Sequence, residues 1–397
     1  MTFLGYERPD GSFGVRNYVL VIPSGIIADE ICHFVTGTKT IVTPTDATTG
    51  RTKTDRETIG RIYVGLGMNP NVASVLVTPG GGAGATPYPE TAPETLAREI
   101  ARSGKRVELL RGNGGDTMEI IMRGIKLARE LRYEASKLRR KPCPDSCLCI
   151  GVKCGNSDPT SGMVGNPVVG YVYDKLVEAG GAALFGENTE IIGAEQVLAR
   201  RAVSKAVAEG ILRVAHETEE RAKSTGEDIR TINPVPANIR AGITTLEEKS
   251  LGAIHKAGTK PIRGVLKYGE RPKGRGLYFV DNWAWTLSIF MGYAAAGAQI
   301  VLYQLGGGGL DGDSCLYQTG NTVAPLVWCS ANPKTLAMSG WNLDFYSGTV
   351  IEGKETIKEA GKRLYSMILD VASGTVTRTE TMNHTDPNEF YTLEPVF

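Results

Sequence analysis

Short apolar, β-branched runs, each followed by a stretch with helical spacing, recur along most of the chain. Asn17 to Pro23, Lys39 to Thr43, Ala73 to Pro79 and Arg106 to Arg111 read as buried strands, since continuous apolar runs of this length suit a sheet covered on both faces. Helical patterns lie between and after them, near 26 to 36, 52 to 67, 91 to 103 and 116 to 139. This βαβ alternation predicts a parallel sheet flanked by helices. The basic stretch Arg139-Arg140-Lys141, followed by Pro142 and Pro144, reads as a solvated connection. It places a boundary near 145, with a Rossmann-like domain over 1-144 and a second α/β domain over 145-397.

The second half repeats the grammar. Strands are expected at Cys147 to Val152, Ala182 to Glu187, Gly276 to Val280, Gln299 to Leu305 and Pro325 to Ser330. Helices are expected near 161 to 179, 193 to 223, 245 to 257, 284 to 297, 332 to 339 and 353 to 372, the third opening at the hydroxyls of Thr244-Thr245. The fold class is therefore α/β, two doubly wound and mostly parallel sheets. In such sheets the ligand sits beyond the carboxyl ends of the strands.

Charge and composition narrow the chemistry. With 44 Lys plus Arg against 43 Asp plus Glu, the net charge is +1, which argues against a nucleic-acid or anionic-membrane partner. No apolar stretch approaches the ~20 residues of a membrane span. The four histidines are scattered, which removes the paired-His zinc signatures. Seven cysteines, an odd count, and an N-terminus without an apolar signal segment suit a cytoplasmic chain with reduced thiols. Glycine is 49 of 397 residues, so glycine-rich loops at strand ends are where binding is expected.

Gly80, Gly82 and Ala85, and again Gly307, Gly309 and Gly312, match dinucleotide fingerprints. Prolines 87, 89 and 93 follow the first and no helical period follows the second, so a nicotinamide oxidoreductase is the alternative rather than the leading reading. Cys143, Cys147, Cys149 and Cys154 lie close in sequence, but a strand between the last two makes Cys149 a core residue and leaves Cys154 at the strand's end. The segment Lys153 to Asp158 is richer: an ammonium, a thiol, an amide, a hydroxyl and a carboxylate on one turn, followed by Ser161 at a helix start. Asp158 and Ser161 also suit simple capping. Glu187 and Glu190 follow the next strand, where they could ligate a divalent cation or take a proton. Arg8 and Arg16, on a polar turn, could clamp an acid or merely form the turn. Asp281-Asn282 ends another strand, and Trp283 and Trp285 after it read as core or interface residues.

The segments G-Y-E-R-P-D-G-S-F-G-V-R-N-Y (5 to 18), N-P-N-V-A-S-V-L-V (69 to 77), G-V-K-C-G-N-S-D-P-T-S-G-M-V-G-N-P (151 to 167), E-I-I-G-A-E-Q-V-L-A-R-R-A (190 to 202) and G-I-T-T-L-E-E-K-S-L-G (242 to 252) resemble the altronate/galactarate dehydratase family. The resemblance spans most of the chain. It implies a lyase that removes water from a sugar acid, or sulfite from sulfolactate, to leave a 2-oxo acid. It also implies a divalent metal, ferrous iron first and manganese or magnesium next. Together with the strand-end positions read above, it gives the expected site: Lys153, Asp158 and Glu187 as catalytic, and Arg16, Asn17, Cys154, Asn156, Ser157, Ser161, Asn166, Thr244 and Lys249 as binding, with Asp281, Asn282 and Gly307 added from their places at strand ends. Glu187 and Glu190 become the metal ligands, and Pro167 and Glu195 match further recurring positions.

Departures from the family pattern carry implications too. The dehydratases carry thiols after the first three strands, where this chain has Ile27, the segment Thr45 to Arg51 and Gly82 or Ala83. Sulfite leaves more readily than hydroxide, so their loss tilts the expectation toward sulfite expulsion. Full-length dehydratases begin with a small additional domain, so a separate small subunit is expected here, along with homo-oligomers and a small acidic substrate. Lys153 is the first choice of base and Glu187 the second, and a non-catalytic scaffold subunit is a further alternative.

Overall fold

The computed structural model describes residues 1–41, 50–79, 88–283, 286–307, 310, 319–382, 389 and 391–394. A seven-stranded, wholly parallel sheet dominates it, in the order Ile262–Leu266, Gly276–Val280, Ala182–Phe185, Cys149–Gly155, Ile300–Leu305, Leu326–Ser330, Phe345–Tyr346. A second parallel sheet of four strands runs Thr38–Lys39, Tyr18–Ile22, Val72–Val77, Arg106–Leu109. The mixed α/β class expected from the alternating pattern is the one observed. Among the described residues no helix is long and apolar enough to cross a membrane.

The central strands are apolar along their length because helices cover both faces. Leu20, Ile22 and Val75 of the four-stranded sheet share one core with Val280 and Val301 of the seven-stranded sheet and with Phe290 and Tyr293 of helix Thr286–Ala295. The seam between the sheets is made by helices Lys53–Met68 and Thr286–Ala295. Buried amides fasten it: Asn69 Nδ2 donates to the carbonyls of Ala294 (2.7 Å) and Ala298 (2.9 Å), and Asn71 Nδ2 to those of Gln299 and Val323 (both 2.8 Å). The Ala294 carbonyl lies in the last turn of its helix, and those of Ala298, Gln299 and Val323 lie in the connections that lead into strands Ile300–Leu305 and Leu326–Ser330.

Three local expectations are corrected. Lys141–Pro144 is not a solvated connection but an edge strand, antiparallel to Thr2–Glu7 in a small three-stranded sheet. Proline is tolerated on such an edge because its missing N–H faces away from the ladder. The stretch 193 to 223 is two helices, Glu195–Ala199 and Lys205–Ser224, the second capped by the Ser204 hydroxyl. Ile262–Leu266 forms an edge strand that the polar-apolar pattern did not announce.

Arg16 and Asn17 are also corrected, from substrate clamp to structural tie. All five Arg16 N–H donors are used: Nε and Nη2 on Glu380 (2.6 and 2.7 Å), Nη1 on the carbonyls of Val15 and Val371, Nη2 also on that of Thr375. Asn17 accepts from Arg8 and donates to the Ala135 carbonyl. The Arg16–Glu380 pair locks the segment leading into strand Tyr18–Ile22 of the four-stranded sheet to helix Arg378–Thr381, whose capping box Glu380 also completes.

The pair has a pH signature. Burial alone would raise the Glu380 carboxyl, but its hydrogen bonds and charge interaction with Arg16 hold it below the ordinary 4.5. A depressed folded-state pKa gives stability that is present above 4.5 and lost as pH falls through the folded value. Glu380→Gln is expected to unfold at lower denaturant than wild type at pH 7, with the gap closing in acid. A gap that stays constant from pH 7 to pH 3 would contradict this role.

Candidate active site

Strand Cys149–Gly155 runs in the middle of the large sheet and delivers Lys153 and Cys154 to its carboxyl end. Consecutive strand residues point to opposite faces. Cys154 therefore shares a face with Ile150 and Val152, while Lys153 points toward Tyr303 and Glu187. The neighbouring strand Ala182–Phe185 leads through Gly186 to Glu187 and the short turn Asn188–Glu190. Gly186 has to be glycine, because a Cβ there would lie 1.9 Å from the Val280 carbonyl. Below the site, the Tyr293 hydroxyl donates to the carbonyls of Val152 (2.9 Å) and Gly186 (2.8 Å) and so ties the two strand ends to one helix.

Five buried groups meet there. Lys153 Nζ lies 3.0 Å from Glu187 Oε2, and Lys256 Nζ contacts Glu190 Oε2 and lies 3.1 Å from Cys154 Sγ. The Cys154 thiol in turn sits 3.0 Å from both Glu190 oxygens. The Lys153 contact with Glu187 lacks hydrogen-bond alignment, so Glu187 Oε2 is a buried oxygen without a donor, as is the Thr189 hydroxyl nearby. Two ammoniums balance two carboxylates, which is what makes their burial tolerable.

The same arrangement sets their ionisation. Burial and the neighbouring Glu190 charge raise Glu187, outweighing its lysines. Glu190 is held low, because Lys256 and Lys153 overcome its burial. Against burial, Glu187 and Glu190 raise Lys153, and Cys154 with Glu190 and Glu187 raises Lys256, so both stay cationic. Burial and Glu190 push the Cys154 thiol up to about 12, which keeps it protonated.

A cavity of about 610 Å³ opens above the cluster, lined among others by Lys153, Cys154, Asn156, Ser157, Glu187, Glu190, Lys249, Arg221, Trp283 and Tyr303. It lies beyond the strands' carboxyl ends, as a parallel sheet predicts. Asn156, at φ 47, is one of two described non-glycine residues with positive φ and bends the turn into the cavity wall. Asn238 Nδ2 donates to the Ser157 carbonyl, and Lys249 donates to the side-chain oxygens of Asn233 and Asn238.

Other expected residues have bracing work instead. Asp158 faces away from this cavity and accepts four hydrogen bonds, from Ser161 N–H (2.9 Å), the Thr160 hydroxyl (2.7 Å), Gly307 N–H (2.6 Å) and Asn332 Nδ2 (2.5 Å). Its acceptor positions are taken up by the protein itself rather than offered to a substrate. Gly307 permits this knot, since a Cβ there would fall 2.5 Å from the Asn332 amide. The Ser161 hydroxyl closes the same turn by donating to the Asp158 carbonyl. Ser161 and Asn166 line a smaller pocket of about 300 Å³ behind the turn, where Asn166 Nδ2 donates to the Gly252 carbonyl. The expected helix start over 161 to 165 is a π-helical turn, a widening that often marks functional sites.

Thr244 is exposed and binds Glu248 at a helix start, and the cap itself is Thr245. Glu195, the first residue of its helix, accepts the N–H of Gly193 in the turn before it. Asp281 and Asn282 stitch loops together: Asn188 Nδ2 donates to Asp281 Oδ1 (2.6 Å), and the Asn282 N–H to Asn188 Oδ1 (3.0 Å). The glycines at 80 to 84 and at 308, 309 and 312, the segment 45 to 49 and Trp285 lie outside the described residues.

The divalent metal can be tested against these atoms. Cys154 Sγ and one oxygen each of Glu187 and Glu190 lie within 4.8 Å of one another, all buried. The orphaned Glu187 oxygen and the mixed sulfur and oxygen donors suit a borderline divalent ion. The donor set fits, although Lys256 already contacts two of its three members. Of the four clustered cysteines only Cys154 belongs to it.

A cavity at the carboxyl ends of a parallel sheet, floored by two carboxylates of opposed pKa shift, two ammoniums and a thiol, is equipped to move a proton on a small acid. Comparison with known proteins places it more narrowly. Residues 146–393 match the family model "D-galactarate/Altronate dehydratase, C-terminal", and residues 5–136 match "D-galactarate dehydratase/Altronate hydrolase, second domain". The chain belongs to the D-galactarate/altronate dehydratase family and is a lyase. It is 33% identical to the (2R)-sulfolactate sulfo-lyase subunit beta of Chromohalobacter salexigens, over 96% of this chain and 95% of that one. It is 30% identical to the altronate dehydratase of Bacillus subtilis, over 99% of this chain and 77% of the relative. It is 34% identical to the galactarate dehydratase (L-threo-forming) of Escherichia coli, over 63% of this chain and 46% of the relative.

Lys256 and Arg221 escaped the sequence reading. Both sit in helical stretches with ordinary surface-like spacing, and only the tertiary fold turns them toward the cluster and the cavity.

Proposed function

We propose that the protein eliminates water or sulfite from C3 of a small 2-hydroxy carboxylate, removing the proton at C2 and releasing a 2-oxo acid after the enol tautomerises. The observation that carries this reading is the pair of buried carboxylates with opposed shifts at the cavity floor. Such a split marks one group for holding charge and the other for proton transfer.

Glu187 is assigned the proton transfer: it is raised, faces the cavity and has an oxygen without a donor. Lys153, the first candidate from sequence, stays cationic beside it. Its assigned role is to neutralise the substrate carboxylate and the charge that grows on it as the C2–H bond breaks. Cys154 and Glu190 would hold a divalent metal, iron first and manganese or magnesium next, leaving Glu187 free for the proton. When bound, that ion draws electron density from the substrate oxygens. Lys256 keeps Glu190 ionised, and Tyr293 holds the two strand ends at a fixed separation.

The name of the Chromohalobacter relative, a beta subunit, supports a separate small partner subunit for this chain as well. The test is release of 2-oxo acid from a panel of sulfolactate and sugar acids, using anaerobic protein with ferrous ion, alone and co-expressed with a partner subunit. Product from at least one acid is expected. Inactivity of both preparations across the panel would overturn the reading.

A further inference from the structure

Within the cavity each carboxylate has its own ammonium, Glu187 with Lys153 and Glu190 with Lys256. Two further cations line the same cavity: Lys249, from helix Leu246–Ala253, and Arg221, from helix Lys205–Ser224. Among the described residues neither has a carboxylate within ion-pair distance. Lys249 is held by the neutral amide oxygens of Asn233 (2.8 Å) and Asn238 (3.2 Å). Arg221 donates from Nη2 to the Leu393 carbonyl, and its guanidinium lies over the Trp283 ring at 4.9 Å, leaving Nε and Nη1 unengaged among the described residues. Among the described residues the cavity therefore carries two cations with no carboxylate in ion-pair contact after its own acids are paired.

Concave, partly desolvated cations without partners are a recognition site for an anion. A guanidinium held in place by an aromatic face and a backbone carbonyl is already oriented, so little freedom is lost when its fork meets a planar carboxylate or a sulfonate. Because Lys153 is assigned to the reacting carboxylate, these two charges are left to face a second anionic group.

We propose that Arg221, with Lys249, forms a binding site for a second anionic group, so that the substrate is a 2-hydroxy acid with two anionic ends, a carboxylate and a sulfonate or second carboxylate. This rests on the elimination reading above for the name of the reaction, but not for the binding itself. With Lys153 assigned to the reacting carboxylate, a monoanionic acid with a neutral polyol tail would leave both cations without an anion, and selection against it follows from that vacancy in charge.

Binding of unreactive acids separates the two ideas. Calorimetry with 3-sulfopropanoate, succinate and propanoate on the full chain is expected to show the first or the second binding about 10- to 100-fold more tightly than propanoate, the range for one charged hydrogen-bonded contact. Which of the two dianions wins distinguishes sulfonate from carboxylate. Arg221→Gln should reduce the preference to within about threefold, and Arg221→Lys should restore part of it. With any substrate that is turned over, Arg221→Gln should raise KM by a similar factor with kcat nearly unchanged. Equal binding of one-ended and two-ended acids by wild type, or an undiminished preference in Arg221→Gln, would overturn the proposal. If the preference follows Arg221 while no acid is turned over, the site stands and the elimination reading falls.

Discussion

Lys256→Met is expected to lower the stability of the metal-free chain by about 3–5 kcal/mol, the usual effect of removing one partner from a buried ion pair. Lys256 is 3% exposed and is the ammonium in contact with Glu190, so its loss strands a carboxylate whose ionisation that lysine sustains. Methionine keeps the length of the side chain, which limits the cavity left behind. Two further measurements separate charge from packing. Adding Glu190→Gln to Lys256→Met should recover much of the loss, since neither charge then lacks its partner. Ferrous or manganous ion should also stabilise Lys256→Met more than wild type, because the donors Cys154 and Glu190 no longer share their atoms with an ammonium. A single replacement that unfolds at the wild-type denaturant midpoint would sink this account of the cluster.

Asp158 offers a different contrast: its sequence context suggests catalysis, and its four donors assign it to holding the turn. The contrast shows what can be read from a chain and what cannot. Lys153, Cys154, Glu187 and Glu190 were legible because each follows, or ends, an apolar run that had to be a strand, and strand ends in a parallel sheet converge. Their neighbours in the same motifs looked equally chemical. Which of them face the cavity depends on hydrogen-bond partners far away: Asp158 is satisfied by Gly307 and Asn332, and Arg16 by Glu380, 364 positions later. Saturation by distant partners leaves no local trace. Lys256 and Arg221 illustrate the converse, since a lysine or arginine on a helix reads as a solvated face until another element covers it. The edge strand Lys141–Pro144 was hidden for a different reason, because its prolines signal a break unless the strand's position in the sheet is known.

Glu187→Gln is expected to reduce kcat by about 10²- to 10⁴-fold, the usual contribution of positioned proton transfer. The amide is nearly isosteric and keeps an oxygen toward Lys153, but it cannot accept the C2 proton. Burial and the Glu190 charge raise the Glu187 carboxyl, so the base must lose its proton before it can act, and the wild-type rate should climb with pH through that elevated value. In Glu187→Gln that rising limb should disappear along with the activity. Lys153 is then left without its ion-pair partner, so some loss of stability accompanies the change and has to be measured separately. Exchange of the substrate C2 hydrogen with deuterated solvent isolates the step: it should persist where only departure of the leaving group is slowed, and vanish in Glu187→Gln. Glu187→Asp, which withdraws the carboxylate by one methylene, should retain measurable exchange. If Glu187→Gln exchanged C2 hydrogen within tenfold of wild type, the proton would have to be leaving to another group, and Lys153 would return as the candidate despite its cationic setting.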